Sequence, residues 1–312
     1  MTRPDRWDPA DIPDQAGRTV LVTGTTVGGL GHHTALELAR RGARVIITGR
    51  SPERLSESER AIRTEVSTAL LETVELDLAD LSSVRRAAAA VAGLGPIDVL
   101  VNNAGVMGTS YQRTADGLEL QLGTNHFGPF LLTGLLLPQL VASEDGRVVS
   151  VSSQMHRVAR SAPLGDPMVQ SGRYQPWPTY GQSKLANLLF AYELDRRLRA
   201  AELPVRALAA HPGFASTHLA ANGQYGRASG GRASILDGAI KLVSPNTAEW
   251  GAWSTLMAAT ADLPGATYVG PDGIAEFFGR PRVVTSNKLS YDEHAQRRLW
   301  EISETTTGIT YP

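Results

Sequence analysis

Short runs of Val, Leu and Ile alternate with longer segments of helical period from Arg18 to about His211. Continuous apolar runs are typical of strands covered on both faces, whereas a period near 3.6 indicates amphipathic helices. Their alternation predicts βαβ units and a parallel sheet. The predicted strands are Thr19–Val22, Arg44–Thr48, Leu71–Leu76, Ile97–Val101, Gly146–Val151 and Val205–Ala209. The predicted helices between them are Gly31–Arg41, Pro52–Val66, Leu81–Ala92, Leu118–Leu140 and Tyr180–Ala200.

The regular pattern lapses through Thr217–Gly231, a segment rich in Gly, Ala and Asn, and then returns. The later predicted elements are a helix over Thr247–Ala261, a strand over Ala266–Val269 and a helix over Asp292–Thr305. No Pro/Ser-rich linker or internal repeat divides the chain. We therefore expect one α/β domain with a doubly wound (Rossmann) parallel sheet, flanked by helices on both faces. The expected organisation is a polar N-terminal arm at 1–17, the catalytic domain at 18–312, and substrate loop or lid segments at about 154–179 and 214–246.

Composition excludes several classes of protein. With 42% apolar residues in 312, the chain has enough material for a large core, which excludes general disorder. Thirty basic and 31 acidic residues create no net field toward nucleic acid or an anionic membrane surface. The absence of cysteine excludes disulfides, thiol nucleophiles and cysteine-ligated metals. The longest apolar stretches, such as Phe130–Leu137, are too short to span a bilayer, so we expect no membrane span and a cytoplasmic location.

A glycine-rich turn over Thr23–Gly31 joins the first predicted strand to the helix that follows. Glycines permit a tight turn and bring main-chain N–H groups and the positive end of a helix close to a pyrophosphate. With 31 glycines in the chain, a plain strand-to-helix turn remains an alternative interpretation. The turn alone is therefore weak evidence for a dinucleotide site.

The end of the second predicted strand strengthens this interpretation. A nicotinamide dinucleotide site places an acid there to bind a free ribose hydroxyl, or an arginine to bind a 2′-phosphate. The strand ends at Thr48 and is followed by Gly49 and Arg50, with no acid at its tip. Because a guanidinium suits phosphate, we predict that NADP(H) is preferred, with NAD(H) as the alternative. The alternative is that Arg50 is an ordinary solvent-exposed cation at the start of a helix and binds no phosphate.

Tyr180 and Lys184 are the most informative pair. Residues four apart on a helix share a face, and the chain has only three lysines, so a chance Tyr-x-x-x-Lys pair is rare. A phenol with a pKa of about 10 is a poor acid–base catalyst at neutral pH, and a nearby ammonium stabilises its phenolate. The pair is therefore a candidate acid–base catalyst, with an ordinary exposed helix face as the alternative.

Several motifs together resemble the short-chain dehydrogenase/reductase family from Gly17 onward. The glycine turn is similar to its Thr-Gly-x-x-x-Gly-x-Gly motif with one extra residue, which leaves the pairing of Gly28 open. Asn102-Asn103-Ala104-Gly105 resembles its Asn-Asn-Ala-Gly motif. Ser153-x-x-His156, the stretch from Tyr180 to Asn187 and the ending from Leu299 to Glu304 are most similar to the retinol dehydrogenase-like branch and its bacterial relatives.

The resemblance implies three sets of site residues. The catalytic set is Asn125, Ser153, Tyr180 and Lys184. The cofactor-binding set is Gly24, Thr26, Gly29, Leu30, Gly31, Arg50, Asp77, Leu78, Asn103, Ala104, Gly105, Tyr180, Lys184, Pro212, Gly213 and Thr217. The substrate-lining set is Met155, His156, Tyr174, Trp177, Phe214, Leu219 and Tyr225, with loop packing as an equal alternative for His156.

The implied activity is NADP(H)-dependent interconversion of a lipophilic ketone or aldehyde and its alcohol. NADPH would deliver hydride while Tyr180 protonates the carbonyl oxygen and Ser153 donates a hydrogen bond to it. Lys184 would lower the pKa of Tyr180 and contact the nicotinamide ribose, and Asn125 would hold a water that resupplies the proton. No metal site is expected from the seven histidines, and a homo-oligomer is an open expectation.

Two other classes of function share some of these features. A non-catalytic NADP-binding sensor would have the same cofactor fold, but it gives no reason to retain the four catalytic candidates together. An epimerase or dehydratase on the same scaffold would also use a tyrosine–lysine pair. Net consumption of NADPH with a ketone separates a reductase from both.

Overall fold

The computed structural model describes residues 7–168, 172–214 and 247–312. Within these ranges eight strands form one sheet in the order β3-β2-β1-β4-β5-β6-β7-β8. Strands β1 to β7 are parallel, and β8 is antiparallel to β7. The strands are β1 Thr19–Thr23, β2 Arg44–Gly49, β3 Leu70–Glu75, β4 Val99–Asn102, β5 Gly146–Val151, β6 Val205–Ala210, β7 Tyr268–Pro271 and β8 Pro281–Val283. The strand order reverses between β1 and β4, where sheets of this type open a ligand crevice at the carboxyl ends of the strands.

Helices cover both faces of the sheet, which confirms the predicted doubly wound α/β class. The helices are α1 Leu30–Arg40, α2 Pro52–Glu65, α3 Leu81–Ala92, α4 Gly128–Val141, α5 Pro176–Ala200, α6 Ala248–Thr260 and α7 Glu293–Thr307. Successive residues of a strand point to opposite faces: Val20 and Val22 pack with α1, α2 and α6, whereas Leu21 packs with α3, α4 and α5. Both faces of β1 are covered, so its centre, Val20–Val22, is a continuous hydrophobic run.

Some boundaries differ from the predictions. The predicted helix over Leu118–Leu140 is divided into a helical turn Leu120–Leu122, a π turn Gly123–Phe127 and α4. Helix α5 begins four residues earlier than predicted, at Pro176, whose fixed φ suits the first turn of a helix. Strand β8 was not predicted, because it has only three residues and two of them are exposed.

The N-terminal arm packs on the domain where the structure describes it. Trp7 and Ile12 are buried in the core on the α1 side of the sheet. At the other end of the chain, α7 packs on α5, and Trp300 lies among the rings of Phe130, Phe190 and Tyr311. No helix in the described ranges has both the length and the apolar content needed to cross a membrane.

Candidate active site

The glycine-rich turn after β1 has a backbone that requires glycine. Gly24 and Gly28 have φ of +72° and +74°, in the left-handed region that side chains disfavour. A Cβ at Gly24 would also lie 2.8 Å from the Cβ of Ala104, and one at Gly31 would collide with the Gly24 carbonyl. The backbone of the turn therefore favours glycine at position 28, and the pairing of Gly28 with the family motif stays open.

The N-terminus of α1 leaves main-chain donors available. Gly29 is the N-cap residue and supplies no capping side chain, so the first-turn N–H groups have no side-chain acceptor there. Thr26 is exposed and Leu30 is half-buried beside them. Uncapped N–H groups and the positive helix end suit a phosphate, so this turn could hold the pyrophosphate of a dinucleotide.

The Asn-Asn-Ala-Gly segment holds this turn in place. Asn103 Nδ2 donates to the carbonyl oxygens of Thr23 and Gly24 at 2.7 and 3.2 Å. Thr23 Oγ1 in turn accepts from the N–H groups of Asn103 and Ala104, both at 2.9 Å. The Asn103 side chain therefore fixes the backbone that would contact the cofactor.

The remaining cofactor candidates of this half lie at neighbouring strand ends. Arg50 follows β2 and is exposed, with no ion pair or hydrogen bond to its guanidinium among the described residues. Asp77 follows β3, and its carboxylate accepts from the Ala79 N–H at 2.9 Å. The carbonyl of Leu78 packs against Gly128, where a Cβ would lie 2.5 Å from it. These side chains lie along one edge of the sheet because parallel strands end at the same side.

Ser153, Tyr180 and Lys184 come together beyond the end of β5. Tyr180 and Lys184 lie on α5 and are buried, and the Lys184 Nζ lies 5.7 Å from the centre of the Tyr180 ring. Lys184 Nζ donates to the carbonyl oxygen of Val151 at 3.1 Å, one residue before Ser152. The Ser153 hydroxyl lies close enough to the Tyr180 hydroxyl to lower the pKa of the phenol. A hydroxyl pair with a buried cation beside it can exchange a proton with a substrate oxygen.

The pKa values of this pair correct one expectation. Burial raises the pKa of Tyr180 to about 12, and the nearby Ser153 hydroxyl offsets only part of that shift. Burial lowers the pKa of Lys184 to about 8. The pKa of Tyr180 therefore lies above its ordinary value here, because burial disfavours the phenolate. At neutral pH Tyr180 is protonated.

Asn125 lies on the π turn and is fully engaged by the protein. Its Nδ2 donates to the Val106 carbonyl and to Ser183 Oγ, both at 2.9 Å, and its Oδ1 accepts from the Val106 N–H at 2.8 Å. Ser183 Oγ donates onward to the Tyr180 carbonyl. Because both amide hydrogens are used, Asn125 links the segment after β4 to α5, and a water in a proton relay would be bound through its main chain or its remaining Oδ1 lone pair.

The turn after β6 is built around a buried histidine. Gly213 has a φ of +67°, and its N–H donates to His211 Nδ1 at 3.2 Å. His211 is fully buried, and its Nε2 lies 3.1 Å from Glu276 Oε2. Pro212 and Gly213 are thus held at the carboxyl end of β6. Thr217, the last cofactor candidate, lies outside the described residues.

Of the substrate-lining candidates that the structure describes, two lie on the wall of one cavity and the others do not. Met155 and Trp177 line a cavity of about 820 Å³ between the segment after β5 and the start of α5, together with Leu122, Phe127 and Leu164. Trp177 lies next to the catalytic candidates, with its ring 6.5 Å from that of Tyr180. None of the four described catalytic candidates is on the cavity wall, so the cavity adjoins the reacting centre rather than enclosing it.

The other substrate candidates lie elsewhere. His156 is fully buried: its Nδ1 is 2.6 Å from the Ser153 carbonyl, and its Nε2 accepts from the Asn287 N–H. The expectation that His156 lines the substrate pocket is therefore wrong, and the packing alternative holds. Tyr174 is half-buried, and its hydroxyl donates to Glu119 at 2.8 Å. Phe214 is exposed next to Phe277, and Leu219 and Tyr225 lie outside the described residues.

Two side chains that contact the segments around the candidate site were missed by reasoning from the sequence. Asn187 donates to the Val151 carbonyl at 3.0 Å, the same oxygen that accepts from Lys184, and its place in the motif after Tyr180 was an available signal. Glu276 contacts residues after both β5 and β6, and no local pattern in the sequence marks it.

Comparison with known proteins agrees with this geometry. The sequence model of the family described as short chain dehydrogenase matches residues 18–164. The chain is 38% identical over 309 residues to human retinol dehydrogenase 13, covering 97% of this chain and 87% of that protein. It is 39% identical over 310 residues to mouse polyprenol dehydrogenase, covering 96% and 87%. A crystal structure of an uncharacterized protein from Mycobacterium paratuberculosis superposes with a TM-score of 0.79 at 44% identity, covering 98% and 99%. The chain therefore belongs to the short-chain dehydrogenase/reductase family of NAD(P)(H)-binding oxidoreductases, in its retinol dehydrogenase-like branch.

Proposed function

We propose that the protein interconverts a lipophilic ketone or aldehyde and the corresponding alcohol with NADP(H), and that Tyr180 is the general acid and base. The observation that carries the proposal is the convergence of three side chains. The Ser153 hydroxyl lies close enough to the Tyr180 hydroxyl to lower its pKa, and the Lys184 ammonium lies 5.7 Å from the Tyr180 ring. They lie beyond β5, in the same crevice as the glycine turn and Gly213.

When bound, NADPH supplies the hydride, and the chain supplies orientation and the proton. Tyr180 is protonated at neutral pH because burial raises its pKa, so its hydroxyl can donate to a carbonyl oxygen that gains negative charge. The Ser153 hydroxyl donates to the same oxygen. Lys184, oriented by the Val151 carbonyl, provides positive charge beside the developing alkoxide. Gly105 leaves room for these groups, since a Cβ there would lie 2.8 Å from Asn125 Oδ1.

The preference for NADP(H) rests on Arg50. It stands at the end of β2, exposed, and its guanidinium is available to a phosphate. The Arg50→Asp variant should weaken NADPH binding much more than NADH binding, measured as the quench of protein fluorescence or as the enhancement of nicotinamide fluorescence. Equal losses for the two dinucleotides would contradict the assignment to the 2′-phosphate.

The lipophilic character of the substrate rests on the cavity beside Tyr180. Met155, Trp177 and Phe127 give this cavity an apolar wall that suits an apolar part of a ligand, and charged side chains, including Arg160, Asp166 and Arg173, lie elsewhere on its lining. The relatives named retinol dehydrogenase 13 and polyprenol dehydrogenase are named for apolar alcohols, which supports the same class here. The cytoplasmic location and the homo-oligomer expected from the sequence remain predictions.

The test is an NADPH-depletion assay over steroid, retinoid, aryl-ketone and polyketide-like carbonyls. We expect net oxidation of NADPH with at least one class, which an epimerase, a dehydratase or a sensor would not give. Tyr180→Phe should keep NADPH binding and lose at least about 100-fold in turnover. Tyr111→Phe, which removes the hydroxyl of an exposed tyrosine, is the matched control and should keep its rate. A near-normal rate in Tyr180→Phe would remove this tyrosine from the mechanism.

A further inference from the structure

One carboxylate connects the two loops that flank the reacting centre. Glu276 accepts hydrogen bonds from Gln154 Nε2 at 2.6 Å, from Arg157 Nη2 at 3.1 Å and from His211 Nε2 at 3.1 Å. Gln154 and Arg157 belong to the short helix that directly follows Ser153. His211 directly precedes the turn that is expected to face the nicotinamide. A single side chain therefore contacts both the proton-donor side and the cofactor side of the site.

The backbone that presents this carboxylate is unusual. Ala275 and Glu276 have φ of +52° and +58°, so two consecutive residues with side chains adopt the left-handed conformation. Such conformations are costly and persist where surrounding contacts determine them. Here the Phe214 N–H donates to the Phe277 carbonyl, and the Gly273 N–H donates to the Phe278 carbonyl, which closes the loop around Glu276. The strained segment places its carboxylate between β5 and β6.

The hydrogen bonds of His211 define its tautomer. Its Nδ1 accepts from the Gly213 N–H, so in the neutral ring the hydrogen must be on Nε2. That Nε2 hydrogen points to Glu276 Oε2. Burial lowers the pKa of His211, so the ring is neutral at neutral pH. Burial alone would raise the pKa of Glu276, but the hydrogen bonds from His211 and Gln154 and the charge of Arg157 oppose this, and the pKa of the carboxyl is lowered from its ordinary value. Glu276 is therefore a carboxylate that accepts from Nε2–H of His211. This contact favours the tautomer whose Nδ1 is free to accept from the Gly213 N–H.

We propose that Glu276 is a positioning residue for the dehydrogenase reaction: it fixes the Gly213 turn through His211 and fixes the segment after Ser153 through Gln154 and Arg157. The roles of the two loops rest on the proposed function, whereas the His211 tautomer does not. Removal of the carboxylate leaves a buried Nε2–H without an acceptor and frees both loops at once.

The first experiment compares Glu276→Ala and Glu276→Gln. The glutamine retains a side-chain oxygen that can accept from His211, and the alanine does not. In Glu276→Ala we expect the Kd of NADPH to rise and kcat to fall, each by about 10-fold, with Glu276→Gln within about 3-fold of the parent protein. Glu301→Ala removes an exposed carboxylate and is the control. Equal damage from both Glu276 variants, or a lower Tm with unchanged kcat and NADPH affinity, would overturn the proposal.

The second experiment reads the tautomer directly, by nitrogen-15 NMR of the His211 ring without substrate. The parent protein and Glu276→Gln should show the Nε2–H tautomer, and Glu276→Ala should show a mixture of tautomers. An unchanged ring spectrum in Glu276→Ala would refute the role of the carboxylate. Because this readout needs no turnover, it separates a failure of this proposal from a failure of the proposed function.

A third variant tests the division of roles and is expected to fold, because the Arg157 side chain is 41% exposed. Arg157→Ala should lower kcat while the Kd of NADPH stays within about 2-fold, since His211 still donates to Glu276. A rise in the NADPH Kd equal to that in Glu276→Ala would show that the two loops are not held separately. It would overturn the assignment of cofactor binding to the His211 contact and of turnover to the Arg157 contact.

Discussion

Replacement of Lys184 by methionine is expected to stabilise the unliganded protein at neutral pH while abolishing its activity. The side chain is only 3% exposed, and burial lowers its pKa from 10.5 to about 8. Its hydrogen-bond acceptor, the Val151 carbonyl, also accepts from Asn187 Nδ2 at 3.0 Å. Methionine has a similar length, so the change removes a buried charge and leaves no buried oxygen without a donor.

The size of the effect follows from the pKa. A value lowered from 10.5 to about 8 corresponds to a cost of about 3 kcal/mol for the charged form in the folded state, at about 1.4 kcal/mol per unit. The cost is present in full below pH 8. Between pH 8 and 10.5 the unfolded state binds more protons than the folded state, so the stability of the parent protein rises with pH and the cost disappears. Lys184→Met should thus gain up to about 3 kcal/mol near pH 7 and little above pH 10.5.

Urea unfolding without dinucleotide, followed by circular dichroism, measures this difference at about pH 7 and about pH 10. Lys288→Met is the matched control, because Lys288 is exposed and its replacement removes no buried charge. A Lys184→Met protein that is no more stable than the parent at about pH 7 would refute the reasoning. If the increase in the free energy of unfolding is the same at both pH values, the extra stability comes from packing of the methionine and not from removal of the charge.

Three further substitutions test the geometry. Gly31→Ala should abolish dinucleotide binding, because its Cβ would collide with the facing turn, whereas Gly165→Ala, with open space in the described structure, should bind normally in a fluorescence titration. Trp300→Ala should lower the free energy of unfolding by about 3–5 kcal/mol in urea, and a loss below about 1 kcal/mol would contradict its place in the core. Gly105→Ala should lower kcat by about 10–100-fold, because its Cβ would displace Asn125; an unchanged kcat would contradict this packing.

The sheet could be predicted from the sequence because its strands are buried on both faces. In β1, for example, Val20, Leu21 and Val22 are fully buried and form a continuous apolar run that is visible in the sequence. The π turn could not be predicted in this way, since all five of its residues, Gly123–Phe127, are buried and three of them are polar, so no exposed polar face marks a helical period. Contacts distant in sequence decide the turn: a Cβ at Gly123 would lie 2.5 Å from Thr114 Cγ2.

In the candidate site, too, the features set by local sequence could be predicted and those set by distant contacts could not. The glycine turn and the Tyr180–Lys184 pair are local patterns, and local patterns determine backbone shape and helix faces. The position of Glu276 depends on Gln154 and His211, which are 122 and 65 residues away in the sequence. It also depends on a left-handed backbone conformation, which a glutamate in the sequence does not predict. The pKa of Tyr180 is likewise set by burial, which its neighbours in sequence do not reveal.

The same burial gives the two directions of the reaction different pH dependence. Reduction needs a protonated Tyr180, and a pKa of about 12 keeps Tyr180 protonated throughout the neutral range. Reduction also uses the positive charge of Lys184, which is lost above about pH 8. Oxidation of the alcohol needs the phenolate, whose fraction rises about tenfold per pH unit below the pKa. We therefore expect kcat/KM for reduction to be flat from about pH 6 to about pH 8 and to fall above, while kcat/KM for oxidation rises over the lower range. An oxidation rate that is independent of pH between about 6 and 8 would show that Tyr180 loses its proton far more easily than its burial implies.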